Sequence, residues 1–289
     1  MNKYLRSFRL RTLPLSVSGV ILGSCLAAKG FGMNLPIFML AILTTLSLQI
    51  LANLANELGD ALKGTDLNND TRPQYGLQQG TISVREMKGC IWLFVILSAI
   101  FGGTLLWISF KTMSEALILF FLVGGLSIIA AVTYTLGKRA YGYHGFGDIF
   151  VFVFFGLVSV LGSYYLQHQY IDWTLLMPAS AVGLLVVSVL NINNIRDFKN
   201  DLACRKRTFA VLIGEKNAKI YQCLLICAAE GLFCLYGLYE VLIFMPIFIA
   251  HIYWLFKYSG KKLDAQLPLI SLTTLLLAVT SGVLQLFFL

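Results

Sequence analysis

The sequence predicts an all-α polytopic integral membrane protein: nine transmembrane helices bundled around a central cavity, with the N-terminus cytoplasmic. Three observations carry that expectation. Of the 289 residues, 58% are hydrophobic and only 12% charged, and a mean hydropathy of +0.78 exceeds what a soluble domain can bury. Nine apolar runs are long enough to cross a hydrocarbon layer of about 30 Å. Threading them alternately through a bilayer leaves 20 of the 22 Lys and Arg on one side.

The runs begin near Leu13, Leu35, Cys90, Ala116, Ile149, Trp173, Tyr221, Val241 and Leu267. The first follows a basic start, "MNKYLRSFRLRTLP", a pattern shared with secretory signals and even with a lipoprotein signal ending at Cys25. Eight further apolar runs make a retained first span the expectation. Only Tyr239 and Glu240 mark the boundary between the seventh and eighth runs ahead of Pro246. The stretch from Tyr221 to Phe256 is too long for one tilted helix and fits two joined by a tight turn, so nine crossings are expected rather than eight.

With the N-terminus inside, only Lys29 and Lys111 lie outside, the imbalance that the positive-inside rule describes. Basic loops against an anionic leaflet then explain the net charge of +8, and no nucleic-acid partner is implied. The six cysteines form no CxxC pair. They read as small buried apolar residues, with neither disulfide nor metal. No long linker interrupts the chain, and residues 1–289 read as a single transmembrane domain.

Two connections are long, polar and rich in both signs of charge: the second, Glu57 to Lys88, and the sixth, Arg196 to Lys219. Four spans separate them, which puts both on the inner side. Each follows an apolar helix that ends in Asn, then spaced Asp, then Lys or Arg. Internal duplication of a four-helix unit would produce that pattern, as in membrane folds whose site lies between repeats.

Helical spacing sharpens the parallel. Gln49, Asn53, Asn56 and Asp60 fall on one face at the end of the second span, and Asn193, Asp197 and Asp201 do so at the end of the sixth. Polar groups at membrane depth are costly unless they face a bundle interior or a wet cavity. A solvated loop would explain either cluster alone, but not two with aligned asparagines on one side. Clustered carboxylates repel and need a cation among them. Mg²⁺ suits such oxygen donors and shares them with substrate phosphates. Arg72 follows the first cluster, and Arg196, Lys206 and Arg207 flank the second, so acids for metal and bases for phosphate oxygens stand together. No Walker-type glycine loop points to a nucleotide. A metal-chelated diphosphate opening into a bilayer implies a substrate with an apolar tail.

Asn56-x3-Asp60-x5-Asp66 and Asp197-x3-Asp201 resemble the two aspartate motifs of the UbiA superfamily of intramembrane prenyltransferases. The likeness covers most of the chain through "RLRTLP", "NLANELGDALKGTD", "LQQGTIS", "YGYHGFGDIFVFVFFG", "GSYYLQ", "NNIRD" and "KRTFAVLIG". Within the superfamily it is greatest to the members that prenylate 1,4-dihydroxy-2-naphthoate in menaquinone synthesis. The resemblance implies a multi-pass enzyme of the cytoplasmic (inner) membrane acting on a polyprenyl diphosphate and an aromatic acceptor. Asn56, Asp60, Asp66, Asn193, Asp197 and Asp201 would hold Mg²⁺, the four aspartates being the catalytic acids. Arg72, Lys206, Arg207 and Lys138 would bind diphosphate, and Tyr134 and Asp148 would contact substrate.

Three departures bear on individual phosphate contacts and on acceptor choice, and leave the metal ligands intact. Arg205 stands where glycine is expected, one arginine follows Asp66 where two are usual, and Asp148 replaces Glu. The same fold with 4-hydroxybenzoate, homogentisate or a tetrapyrrole as acceptor is the first alternative. A cation-coupled transporter is the second, and it predicts acids buried mid-span rather than at helix ends beside Arg and Lys. Glu230, inside the seventh span, is as well explained by burial in the bundle as by a substrate contact. His144 reads as a non-catalytic loop histidine, and His168 and His251 as structural. The run "FVFVFFG" fits a prenyl channel or a lipid face equally.

Overall fold

The computed structural model describes residues 3–29, 32–65, 69–138 and 140–287. Among them, nine helices are long and apolar enough to span a membrane: α1 Leu10–Ala28, α2 Leu35–Leu62, α3 Val84–Ser109, α4 Glu115–Thr133, α5 Gly147–His168, α6 Trp173–Arg196, α7 Glu215–Tyr236, α8 Tyr239–Lys257 and α9 Gly260–Phe287. Tyr239 and Glu240 do open a separate eighth helix, as their break in the apolar run indicates. No described residue is in a strand.

Local signals start the helices. The Asn34 side chain accepts from the Ile37 N–H with Pro36 in the first turn of α2. Ser83 and Glu86 form a reciprocal capping box at the start of α3, and the Ser114 hydroxyl accepts from the Leu117 N–H at α4. Each such cap contributes about 1 kcal/mol. The capping box starts α3 six residues before Cys90. α2 runs to Leu62, because nothing breaks it before Gly64, whose φ is +72°. Glu57 and Asp60 are therefore helical, and the second connection begins at Lys63 rather than Glu57. The sixth connection contains two short helices, Phe198–Ala203 and Phe209–Ile213.

Burial ranks the helices. In α6, 72% of the apolar window is buried, against 11% in α4, so α6 is the axis of the bundle and α4 lies at its rim. α7, α5 and α9 pack on α6; α1 packs between α5 and α9; α2 carries α3 and α4. The crossing of α5 and α6 is close: a Cβ on Gly156 would lie 2.6 Å from Gly183 Cα. Residues 152–158 of α5 form a π-helical turn at this crossing. A buried chain of side chains ties α6 to α7, α8 and α9. Asn191 donates to Gln222 Oε1 (2.9 Å), Gln222 Nε2 meets His251 Nε2 (3.2 Å), and His251 Nδ1 meets Gln266 Oε1 (2.8 Å).

The perimeter is apolar: Trp92, Leu93, Ile96, Trp107, Leu119, Phe121 and Ile249 are all exposed. Such a surface belongs against lipid tails, with Trp and Tyr near the two interfaces. All six cysteines are free.

Candidate active site

Hydrogen bonds gather the start of α1, the second, fourth and sixth connections and the start of α9 at one end of the bundle. Thr71 donates to Asp197 Oδ1 (2.6 Å), Asn200 to Thr65 O (3.0 Å), Lys63 to Thr135 O (2.8 Å), and Arg11 to Asp264 Oδ2 (2.7 Å). The alternating topology read from the sequence requires this grouping.

Asp60 occupies the last turn of α2 and is fully buried. Its Oδ1 accepts from Tyr143 Oη at 2.7 Å and from Lys206 Nζ at 3.3 Å, and its Oδ2 from Arg72 Nη2 at 3.5 Å. Helix α2 approaches the fourth connection closely beside this acid, since a Cβ on Gly59 would meet Thr135 Oγ1 at 2.5 Å. Asp197 closes α6 and is held bidentately by Arg196, Nε to Oδ1 at 2.9 Å and Nη2 to Oδ2 at 2.8 Å. Burial opposes the charge on Asp197, but Arg196 and Arg72 outweigh it and hold the carboxyl at about 2.

Asp201 differs. It is buried, and burial, reinforced by the negative charges of Asp197 and Asp60 against the opposing Lys206 and Arg72, pushes it up to about 7. Burial alone would lower the Lys206 pKa, yet Asp60 and Asp201 raise it. The two acidic clusters thus share one basic side chain and feel each other's charge.

A cavity of about 590 Å³ opens beside this cluster. Its head is lined by Arg9, Arg11, Asn53, Asn56, Arg72, Tyr75, Tyr134, Asn193 and Lys206, and it continues between α2, α3, α4 and α5 past Ala41, Gly102, Gly124 and Phe154 to Leu106, Phe120 and Leu166. The asparagines of both motifs face the cavity, while Asp60 and Asp197 stand behind them, paired with bases.

Most of the residues singled out from the sequence come together here: Asn56, Asp60, Arg72, Asn193, Asp197, Asp201, Lys206 and Tyr134. Asp66 lies outside the described residues. Lys138 and Arg207 are exposed and do not line the cavity. Asp148 is buried in the first turn of α5, away from the cavity lining, hydrogen-bonded to the Tyr221 side chain, with no partner for Oδ2 among the described residues. His144 Nδ1 meets Ala140 O at 3.0 Å, and Glu230 is buried with neither carboxylate oxygen hydrogen-bonded among the described residues.

Several residues at the site carried no decisive sequence signal: Tyr143, Thr71, Tyr75 and Asp264. Arg9 and Arg11 belong to "RLRTLP", which held the only hint of them. Arg9 has a left-handed backbone (φ +52°), donates to Asn56 Oδ1 at 3.4 Å and lies 4.6 Å over the Tyr75 ring.

The donor chemistry fits Mg²⁺. Asp201 is a buried acid among like charges, and Asn56 and Asn193 present amide groups to the cavity. Mg²⁺ takes one or two carboxylates and completes its shell from phosphates and water; among the described residues no group of three Asp, Glu, His or Cys is placed to hold a metal.

A lipid-embedded bundle whose apolar cavity ends in paired acids and bases defines an intramembrane enzyme. Residues 16–284 match the UbiA prenyltransferase family. The chain is 42% identical to 1,4-dihydroxy-2-naphthoate octaprenyltransferase of Escherichia coli over 238 residues, covering 82% of this chain and 77% of that one. It is 38% identical to the Haemophilus influenzae protein of the same name, covering 91% and 88%. Among solved structures, a UbiA homolog from Archaeoglobus fulgidus bound to DMAPP and Mg²⁺ superposes with a TM-score of 0.69 over the full length of both chains, at 17% identity. The chain belongs to the UbiA prenyltransferase family and is a prenyltransferase.

Proposed function

We propose that this enzyme transfers a polyprenyl group from a polyprenyl diphosphate to 1,4-dihydroxy-2-naphthoate, releasing carbon dioxide and diphosphate and giving demethylmenaquinol. The reaction would take place at the cytoplasmic face of the cell membrane, within a single transmembrane domain. One observation carries the reading: an apolar cavity that ends at two facing acidic motifs joined by Lys206. The names of the relatives support the acceptor.

Asn56, Asp60, Asn193, Asp197 and Asp201, with Asp66, are the residues that would hold Mg²⁺. When bound, the metal supplies positive charge to the diphosphate oxygens and so favours departure of the leaving group. Arg72 and Lys206 face the cavity head and would take the remaining phosphate charge, with Arg207 and Lys138 available from the exposed connections. The apolar walls receive the tail and keep water from the allylic carbon, so that the ring rather than water captures it. The electron-rich ring forms the new C–C bond at the carbon that bears the carboxylate. Loss of carbon dioxide then returns the bonding electrons to the ring. Tyr134, on the cavity wall, would contact the acceptor, and Asp148 would act from behind it.

Incubating membranes with a labelled prenyl diphosphate and each candidate acceptor, then identifying products by mass spectrometry, tests the proposal. The expected product forms from dihydroxynaphthoate with divalent metal present, and Asp60→Asn and Asp197→Asn abolish it. Preferential use of 4-hydroxybenzoate would reassign the acceptor. Full activity of both variants would refute the site.

A further inference from the structure

Arg196 bridges two carboxylates. Nε and Nη2 donate to Asp197, and Nη1 donates to Asp264 Oδ1 at 2.6 Å. Nη2 also reaches Asn193 Oδ1 at 2.7 Å. The side chain is 1% exposed. Asp264, just inside α9, is fixed from its other side by Arg11, which donates to Oδ2 at 2.7 Å and to Tyr75 Oη at 3.1 Å. Arg196 therefore covers Asn193 and Asp197, the two α6-end residues that a cation at this site needs. A metal that took both would compete with three of the four hydrogen bonds of a buried guanidinium. The bond to Asp264 is the one such a metal leaves untouched, and a buried guanidinium that loses its partners is strongly disfavoured.

We propose that Asp264 is a positioning residue for metal loading: it retains Arg196 while Asn193 and Asp197 turn to the cation. The inference rests on the metal-dependent reading above. Without the Asp264 charge, Arg196 has Asp197 as its one remaining carboxylate partner among the described residues and competes with the metal for it. Neutralising Asp264 therefore weakens metal binding, and does so through Arg196.

The test is Mn²⁺ retained by the detergent-solubilised protein in equilibrium dialysis, with inorganic pyrophosphate on both sides. Asp264→Asn is expected to bind about tenfold more weakly than wild type, and in an Arg196→Gln background the same change is expected to make no difference. Asp264→Glu should restore binding. Unchanged affinity in Asp264→Asn overturns the proposal. So does an equal loss in the Arg196→Gln background, which would make Asp264 a distant charge rather than the holder of Arg196. Arg196→Lys, which lacks the planar fork that holds Asp197 bidentately while reaching Asp264, supplies the comparison where Arg196→Gln does not fold. A wild-type protein that retains no Mn²⁺ overturns the metal reading itself, and the proposal with it.

Discussion

Lys206 Nζ lies 3.3 and 3.4 Å from the two carboxylate oxygens of Asp60, so a residue of the sixth connection neutralises the acid that closes α2. Both side chains are buried, so each depends on the opposite charge of the other. Replacing Lys206 with Met removes a cation from the cavity head and should lower kcat by about 10² to 10³, the usual loss for one electrostatic contact to developing charge. Asp60→Asn leaves Lys206 and Arg72 facing each other, and should also cost about 3–5 kcal/mol of stability. Turnover and thermal unfolding in detergent separate the two effects. Wild-type turnover in Lys206→Met would reduce the pair to a structural contact.

The first half of this relationship is legible in the sequence and the second is not. Asn56 and Asp60, and Asn193 and Asp197, announce themselves because a four-residue spacing on an apolar helix leaves a polar stripe with nowhere to go but a cavity. That Lys206 rather than the neighbouring Arg207 turns inward depends on the geometry after Cys204. There Arg205 adopts φ +56° and the Lys206 N–H bonds to Asp201 O at 2.8 Å. Asp264 is less legible still. One acid just after the lysines at the start of α9 carries no sequence signal until the helix docks beside Arg11 and Arg196. The spans are readable because hydrophobic length decides them, whereas the π-helical turn of α5 lies at a tertiary contact, its crossing with α6.

Tyr143 donates to Asp60 Oδ1 at 2.7 Å and lies 2.6 Å from Thr65 Oγ1. A hydrogen bond to a charged group contributes about 1.5–3 kcal/mol. Tyr143→Phe should therefore reduce kcat/KM for the diphosphate roughly ten- to a hundredfold, with the fold intact by circular dichroism. A variant indistinguishable from wild type would show that Lys206 and Arg72 suffice to place Asp60.

Asp201 and Asp197 give opposite pH dependences. The Asp201 carboxyl is raised from 3.8 to about 7, so the metal-free folded state binds a proton that the unfolded chain has released. The stability this contributes is complete below 3.8 and is lost as pH rises through about 7. The Asp197 carboxyl is lowered from 3.8 to about 2, so its contribution is present above 3.8 and disappears only as pH falls through about 2. Metal-free protein should accordingly melt at lower temperature at pH ~8 than at pH ~5, with a shallower slope in Asp201→Asn. Binding of Mg²⁺ near neutral pH should release protons, measurable by titration calorimetry in buffers of different ionisation enthalpy. A slope unchanged in Asp201→Asn would assign the dependence to another group.

Phe120 lines the end of the cavity remote from the acids and is backed by Tyr165 and Phe110, with ring centroids 5.4 and 5.7 Å away. Between that aromatic wall and the acids, Gly103, Gly124 and Gly125 line the cavity, and a Cβ added at any of them meets nothing within 4 Å. Side chains introduced there enter the space without disturbing helix packing, and leaving glycine raises helix propensity by up to about 1 kcal/mol. Gly124→Leu should thus fold normally, process a geranyl donor nearly as wild type does, and lose roughly tenfold or more in kcat/KM for donors of farnesyl length and beyond. Phe120→Ala should shift preference the other way, toward longer tails. The measurement is kcat/KM across a series of donors of increasing length at fixed acceptor. An equal loss for every donor in Gly124→Leu would place the tail elsewhere, because a substitution acting through general damage cannot tell a short chain from a long one.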